Sequence, residues 1–306
     1  MVPKLADADI RLLRLFVTVV EAGGFAAAQD ELNLSLPTIS GQMSRLETRL
    51  GVRLCERGRR GFRLTSEGRR VYELSRRLLC SLEDFRSEIG VLHERLMGRL
   101  SIAAVDNIAN NADCPLHAAI AAFDTRPNSV EISVDIAAPV ELERAVAEGR
   151  FHLGIGPKLF TLSSLDYQHI FGEQQHLYCG ANHPLFQRAP NAMSDHEITE
   201  ARYVAHSCPI PDFYTGGGTL APYSVGQHME SVAVLILSGR YIGFLPDHYA
   251  HEWVKKDKMR AIKPQTYVYD NAFHVITRKH ERPTRVLSAF LDDLLSAKEP
   301  REAVAV

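Results

Sequence analysis

Apolar residues recur at helical spacing through the first third of the chain and in short strand-like runs after it. Across 9–21, Leu12, Leu13, Phe16, Val19 and Val20 share one face, which predicts a helix that Ala22, Gly23 and Gly24 end. Phe25, Ala28 and Leu32 predict a second, short helix, interrupted at Asn33 and Leu34. Ser35 then stands where an N-cap belongs, and Pro37 falls in the first turn, where its missing N–H costs nothing. Ile39, Met43, Leu46 and Leu50 follow at steps of four, three and four, and Gly51 ends that third helix. Its opposite face carries Thr38, Ser40, Gly41, Gln42 and Arg45.

Two extended pieces across 52–65 flank Gly58-Arg59-Arg60-Gly61, which reads as a hairpin tip. A long helix is predicted over 66–97. Val71, Leu74, Leu78, Leu82, Phe85, Ile89, Leu92 and Leu96 form a narrow seam of the kind that pairs two helices, and Gly98 closes it. Beyond it the pattern changes to strand 100–105, helix 109–123, strand 130–136, helix 139–148 and strand 151–155, a βαβαβ order that implies a parallel sheet. A second set follows, with strands at 175–179, 202–205 and 241–245 and a helix at 230–238. Strand 267–277 and helix 283–297 come last. Gly216, Gly217 and Gly218 lack the lysine and helix of a phosphate loop and read as a lip.

Charge sharpens the first third. The whole chain of 306 residues has a formal net charge of -2, yet eleven arginines face four glutamates between Gly41 and Cys80. Local positive charge beside two helices and a hairpin is the footprint of a phosphate backbone, so double-stranded DNA is the expected partner. The third helix has what a major groove admits, apolar behind and small polar groups in front. Ser35, Pro37, Thr38, Ser40 and Gln42 are the candidates for base edges, and Arg45 for a phosphate. Arg59 and Arg60 suit a narrow minor groove. No apolar run spans a bilayer and the N-terminus lacks a signal-peptide core, so a cytoplasmic protein without a membrane partner is expected. Five scattered cysteines without a CxxC argue against disulfides and zinc. His248 and His251 have no third ligand nearby, and no nucleophile–base–orienter set appears, so no metal, no cofactor and no catalysis are expected.

Phe16, Glu21-Ala22-Gly23, Phe25, Ala28, Leu32, Ser35, Pro37, Ser40, Leu46-Glu47, Leu50-Gly51, Leu54, Glu56-Arg57, Leu64-Thr65 and Gly68 fall in the order and spacing of LysR-type transcriptional regulators, which the chain resembles. It departs from that family at Leu36, where Gln is usual, at Gly41, where Arg or Lys is common, and around Gly24 and Ala26, where Ser or Thr is usual. The resemblance implies a winged helix-turn-helix over 1–65 and a dimerising linker helix over 66–98. It implies an effector-binding domain over 99–306, in which two α/β lobes, about 99–172 with 266–306 and about 173–265, enclose a cleft like a periplasmic binding protein. It also implies pairing of the sensing domains into a homotetramer. The stretch 234–246 looks like the family's buried helix-turn-strand.

Ligands of open α/β sheets sit beyond the carboxyl ends of strands. Those ends offer Asp106 and Asn107, Ala137 and Ala138, His206, Ser207 and Cys208, and Gln227, His228 and Met229. Of these, Asp106, Asn107, Ala138, His206, Ser207, Cys208, His228 and Met229 are the effector-site candidates. None is Lys or Arg, and an ionised Asp106 facing the cleft repels a carboxylate, so a neutral or cationic polar effector with an apolar or aromatic part is expected. Asp106 as a mere cap of the helix after Asn107 is the alternative. A thiol sensor of the same family using Cys208, or an α/β enzyme or solute-binding protein, are the competing functions. Effector identity, operator sequence and the choice between activator and repressor are not legible.

Overall fold

The computed structural model describes residues 6–56, 62–90, 95–189, 193–207, 220–279 and 283–298. The chain divides after Gly90 into two compact units. In the first, α1 (Asp7–Glu21), α2 (Ala28–Leu32) and α3 (Leu36–Leu50) pack around Leu12, Phe16, Val19, Ala28, Ile39, Met43 and Leu46. Asn33 turns the chain between α2 and α3 in a left-handed conformation (φ 49°), which a short polar side chain tolerates. Ser35 holds the extended backbone of an N-cap, but its hydroxyl meets Thr38 Oγ1 at 2.8 Å and caps no amide. The orphan amide of Leu36 donates instead to Gln29 Oε1 of α2, at 3.0 Å. Asp9, almost fully buried, accepts from Arg49 Nε and from Arg49 Nη2 at 2.6 Å, so one bidentate pair ties α1 to the end of α3. The guanidinium holds the Asp9 carboxyl below the usual carboxylate range.

The hairpin is present. β1 (Cys55–Glu56) pairs antiparallel with β2 (Arg63–Leu64). Its tip, with Arg59 and Arg60, lies outside the described residues. Glu47 Oε1 accepts from the Leu54 amide at 2.8 Å and so fixes the hairpin to α3. α4 (Ser66–Gly90) starts beneath it. A Cβ on Gly68 would lie 1.8 Å from the Leu54 carbonyl oxygen, so only glycine lets α4 pass this close to the hairpin. The described helix ends at Gly90, and the expectation of one helix to Met97 is wrong. Residues 96–98 belong to β3 (Leu96–Ala104), where parallel pairing with residues 128–130 claims them. Two apolar residues at a helix end fit either period, and the partner strand decides.

The second unit continues with α5 (Leu116–Asp124), β4 (Asn128–Ile136), α6 (Pro139–Ala147), β5 (Leu153–Pro157), β6 (Leu165–Gly180), α7 (Asp195–Thr199) and β7 (Tyr203–His206). Then come β8 (Pro222–Gly226), α8 (Met229–Leu237), β9 (Ile242–Pro246), α9 (Asp247–Lys255), β10 (Met259–Ala261), β11 (Val268–Arg278) and α10 (Arg285–Lys298). The expected helix 109–123 is broken. A single 3-10 turn covers Ile108–Asn110, and Pro115 serves as N-cap of a shorter α5. The sheet runs β4-β3-β5-β11-β6-β9-β7-β8 and is mixed rather than purely parallel. β3 pairs parallel with β4 and β5, and β7 with β8 and β9, while β11 and β6 run antiparallel to their neighbours. These two strands join two α/β lobes. One core gathers Leu100, Ile102, Phe123, Leu142 and Phe290, and the other lobe packs around Leu177, Ile236, Ile242 and Tyr267. Phe171 and Phe273 stack at 4.6 Å where β6 and β11 cross, beside a bulge between Phe273 and His274.

Candidate functional site: a helix for DNA and a cleft for a small molecule

In the first unit, α3 turns Ile39, Met43 and Leu46 inward, and each is almost wholly buried. Ser35, Pro37, Thr38, Gly41 and Arg45 are exposed, and Ser40 and Gln42 are half-buried. A Cβ at Gly41 would meet nothing within 4 Å, so the backbone there is bare. A row of short polar groups with an arginine at its end therefore faces outward from a rigid base, as groove insertion requires. On α4, Leu74 is 46% and Phe85 63% exposed, so parts of the apolar seam are not covered by their own chain.

In the second unit, a cavity of about 320 Å³ opens between the lobes, a volume suited to a small molecule. Asp106, Lys158, Glu173, Gln175, His206, Met229, Tyr269, Asn271, Phe273 and His274 are among its walls. Asp106 Oδ2 accepts from the Met229 amide at 2.6 Å, at the start of α8, and lies 3.9 Å from His228 Nδ1. Asp106 thus caps α8 of the other lobe, not the turn after Asn107. Asn107 is left-handed (φ 66°), and His248 Nε2 donates to its carbonyl at 3.2 Å. Glu173 sits inside β6 with its side chain 6% exposed. Gln175 Nε2 donates to Glu173 Oε1 at 2.8 Å, and the Tyr269 hydroxyl donates to Gln175 Oε1 at 2.7 Å. Burial, reinforced by the charges of Asp106 and Asp247, pushes the Glu173 carboxyl up to about 7. Burial pushes His206, His248 and His274 down, which favours neutral rings.

A family model described as the LysR substrate binding domain matches residues 93–298, and one described as the bacterial regulatory helix-turn-helix protein, lysR family, matches residues 10–69. The chain is a LysR-type transcriptional regulator. It is 40% identical over 290 residues to the HTH-type transcriptional activator BauR of Pseudomonas aeruginosa, covering 94% of this chain and 95% of that protein. It is 25% identical over 220 residues to the regulator BenM of Acinetobacter baylyi, covering 68% and 67% of the two chains. In fold it is similar to CbnR, a LysR family regulator, with a TM-score of 0.64 at 19% identity over 95% of this chain and 99% of that one. Full-length CbnR complexed with its target DNA gives 0.61 at 19% identity, over 94% and 99%. The regulator is an effector-responsive DNA-binding protein and not an enzyme, with a winged helix-turn-helix followed by a two-lobed α/β domain.

Of the residues expected at the LysR-type cleft, Asp106, His206 and Met229 line the cavity together. Asn107, Ala138, Ser207 and His228 stand beside it without lining it, and Cys208 and the glycine-rich lip lie outside the described residues. Ser207 Oγ donates to the Gln227 carbonyl at 3.3 Å. The premise that no cation reaches the site fails at Lys158, which follows β5 and lines the cavity, its ammonium 5.1 Å from the Tyr167 ring centre. Glu173, Gln175, Tyr269 and Asn271 were missed because they lie within strands rather than at strand ends. No periodic signal marks Glu173 and Gln175, which stand in the polar stretch 172–176. His248 points to Asn107, and among the described residues no group of three His, Cys, Asp or Glu could hold a metal. No helix there is long and apolar enough to cross a membrane. Burial raises the thiols of Cys114 and, to about 12, Cys179, the opposite of what a reactive cysteine needs.

Proposed function

We propose that this regulator reads its operator with Thr38, Ser40 and Gln42 on base edges, Arg45 on a phosphate, Ser35 and Pro37 at the helix entry, and Arg59 and Arg60 in the minor groove. The outward polar row of α3 over its buried apolar base is the observation that carries this reading. Leu74 and Phe85 on α4 support pairing of two such chains through the seam, and the sensing domains then pair again into a tetramer. The domain limits follow the same scheme: helix-turn-helix to about 65, linker helix from 66, effector domain from about 99. The regulator acts in the cytoplasm, where its DNA is. The name of the relative BauR supports an activator.

The effector sits between the lobes and is neutral or cationic, with an apolar or aromatic part. Asp106, Glu173 and Asp270 line the cavity against Lys158, the one Lys or Arg among its described lining residues, which favours a ligand that brings positive charge. Tyr269 and Phe273 offer ring surface. Screening metabolites by thermal shift on the full-length protein identifies the ligand, since a native-state ligand raises stability. Asn107→Ala and His206→Ala should then weaken its binding by calorimetry while leaving effector-free operator affinity intact. Tight binding of a simple carboxylate, undiminished in both variants, would show site and ligand class to be wrong.

A further inference from the structure

The corner after β3 belongs to one lobe, yet its bonds go to the other. The Asp106 carboxylate takes the Met229 amide at 2.6 Å, across 123 residues of sequence, and the Asn107 carbonyl takes His248 Nε2–H. Asn107 is left-handed to reach it, a conformation that persists where partners hold it. The first N–H groups of a nine-residue helix are where a bound anion gains most. Here the chain's own carboxylate occupies that position, inside the cavity wall and with only 17% of its side chain exposed. A second carboxylate, Glu173, is buried in the same wall, and its Oε2 lies 4.0 Å from His248 Nδ1.

We propose that Asp106 determines the charge class of the effector: it is a tethered anion that fills the seat a ligand carboxylate would need and, with Glu173, presents negative charge to a ligand's ammonium group. The proposal rests on the reading that the cleft holds the effector. A ligand carboxylate must displace Asp106 from Met229 and then lie beside two acids. An ammonium meets both carboxylates without breaking that bond. Because Asp106 bonds across the cleft, whatever draws on its carboxylate also acts on the contact between the lobes.

The test uses the full-length protein without DNA at pH 8, where the Glu173 carboxyl as well as Asp106 carries its charge, with inorganic sulfate and n-butylammonium as probes in calorimetry. Asp106→Ser vacates the seat, while Asp106→Asn keeps an oxygen for the Met229 amide and removes the charge. Expected are saturable sulfate binding by Asp106→Ser at least tenfold tighter than by wild type or Asp106→Asn, and at least tenfold weaker n-butylammonium binding by both variants than by wild type. Sulfate binding equal in wild type and Asp106→Ser overturns the proposal. So does n-butylammonium binding undiminished in Asp106→Asn, which decides the matter if Asp106→Ser fails to fold. No operator enters these measurements. If the cleft proved unconnected to operator control, the two charge preferences would still stand or fall by themselves.

Discussion

Replacing Glu173 with glutamine should stabilise the effector domain at high pH and leave it unchanged at low pH. The carboxyl is shut inside β6, faces the charges of Asp106 and Asp247, and is held up to about 7 against an ordinary 4.5. In the unfolded chain it ionises at the ordinary value. Between those two values the native state keeps a proton that the unfolded state has lost, so raising pH through this window costs stability. A shift of about two and a half units corresponds to about 3 kcal/mol, complete above neutrality and absent below pH 4.5. Glutamine fills the same space, can accept from Gln175 as Glu173 does, and carries no charge to desolvate. In a domain of this size the difference is about 6–12 °C in the unfolding midpoint. Scanning calorimetry of full-length wild type and Glu173→Gln at pH 5 and pH 8 measures it, and the comparison cancels every other titrating group. The variant should gain about 3 kcal/mol at pH 8 and less than about 1 kcal/mol at pH 5. Equal midpoints at both values, or a gain at pH 5 alone, would refute the account of the buried carboxyl and of the acidic cleft built on it.

Other outcomes follow from the packing. Gly68→Ala drives a methyl group into the Leu54 carbonyl and should cost about 1–3 kcal/mol in the DNA-binding unit, read as a lowered first unfolding transition and weaker DNA binding. Leu82→Asp places a charge in the α4 seam and should convert the assembly to smaller species in sedimentation; a wild type already monomeric at micromolar concentration refutes the seam. Removing Arg59 and Arg60 together should weaken binding to all sequences and flatten its salt dependence, and an unchanged footprint would sink the wing contacts.

The DNA-binding third was legible because its contacts are local. The steps between Ile39, Met43 and Leu46 are set by one helix, and Asn33, Gly51 and the hairpin glycines punctuate it within a few residues. Arg49 was counted there as one positive charge among eleven, while its pairing with Asp9 reaches across 40 positions and carries no periodic signal. The cleft was legible only in part for the same reason. Asp106, His206 and Met229 stand at strand and helix ends, where a general rule directs attention. Glu173 and Asn271 lie opposite each other in the β6–β11 ladder, 98 residues apart, and alternation alone marks both as ordinary solvent-facing positions. The half of β6 before Gln175 escaped because its residues are mostly polar, and β8 because Pro222 and Gly226 bound so short a run; long-range pairing makes both of them strands.

The central claim is that α3 reads the operator. Selection from a random double-stranded library by full-length protein, wild type against Thr38→Ala, tests it most directly. Wild type should enrich two related half-sites, and Thr38→Ala should relax preference at a corresponding position in each, at ~1–3 kcal/mol per lost base contact. The same enriched sequence with the same preference at every position, from a folded Thr38→Ala protein, would contradict it.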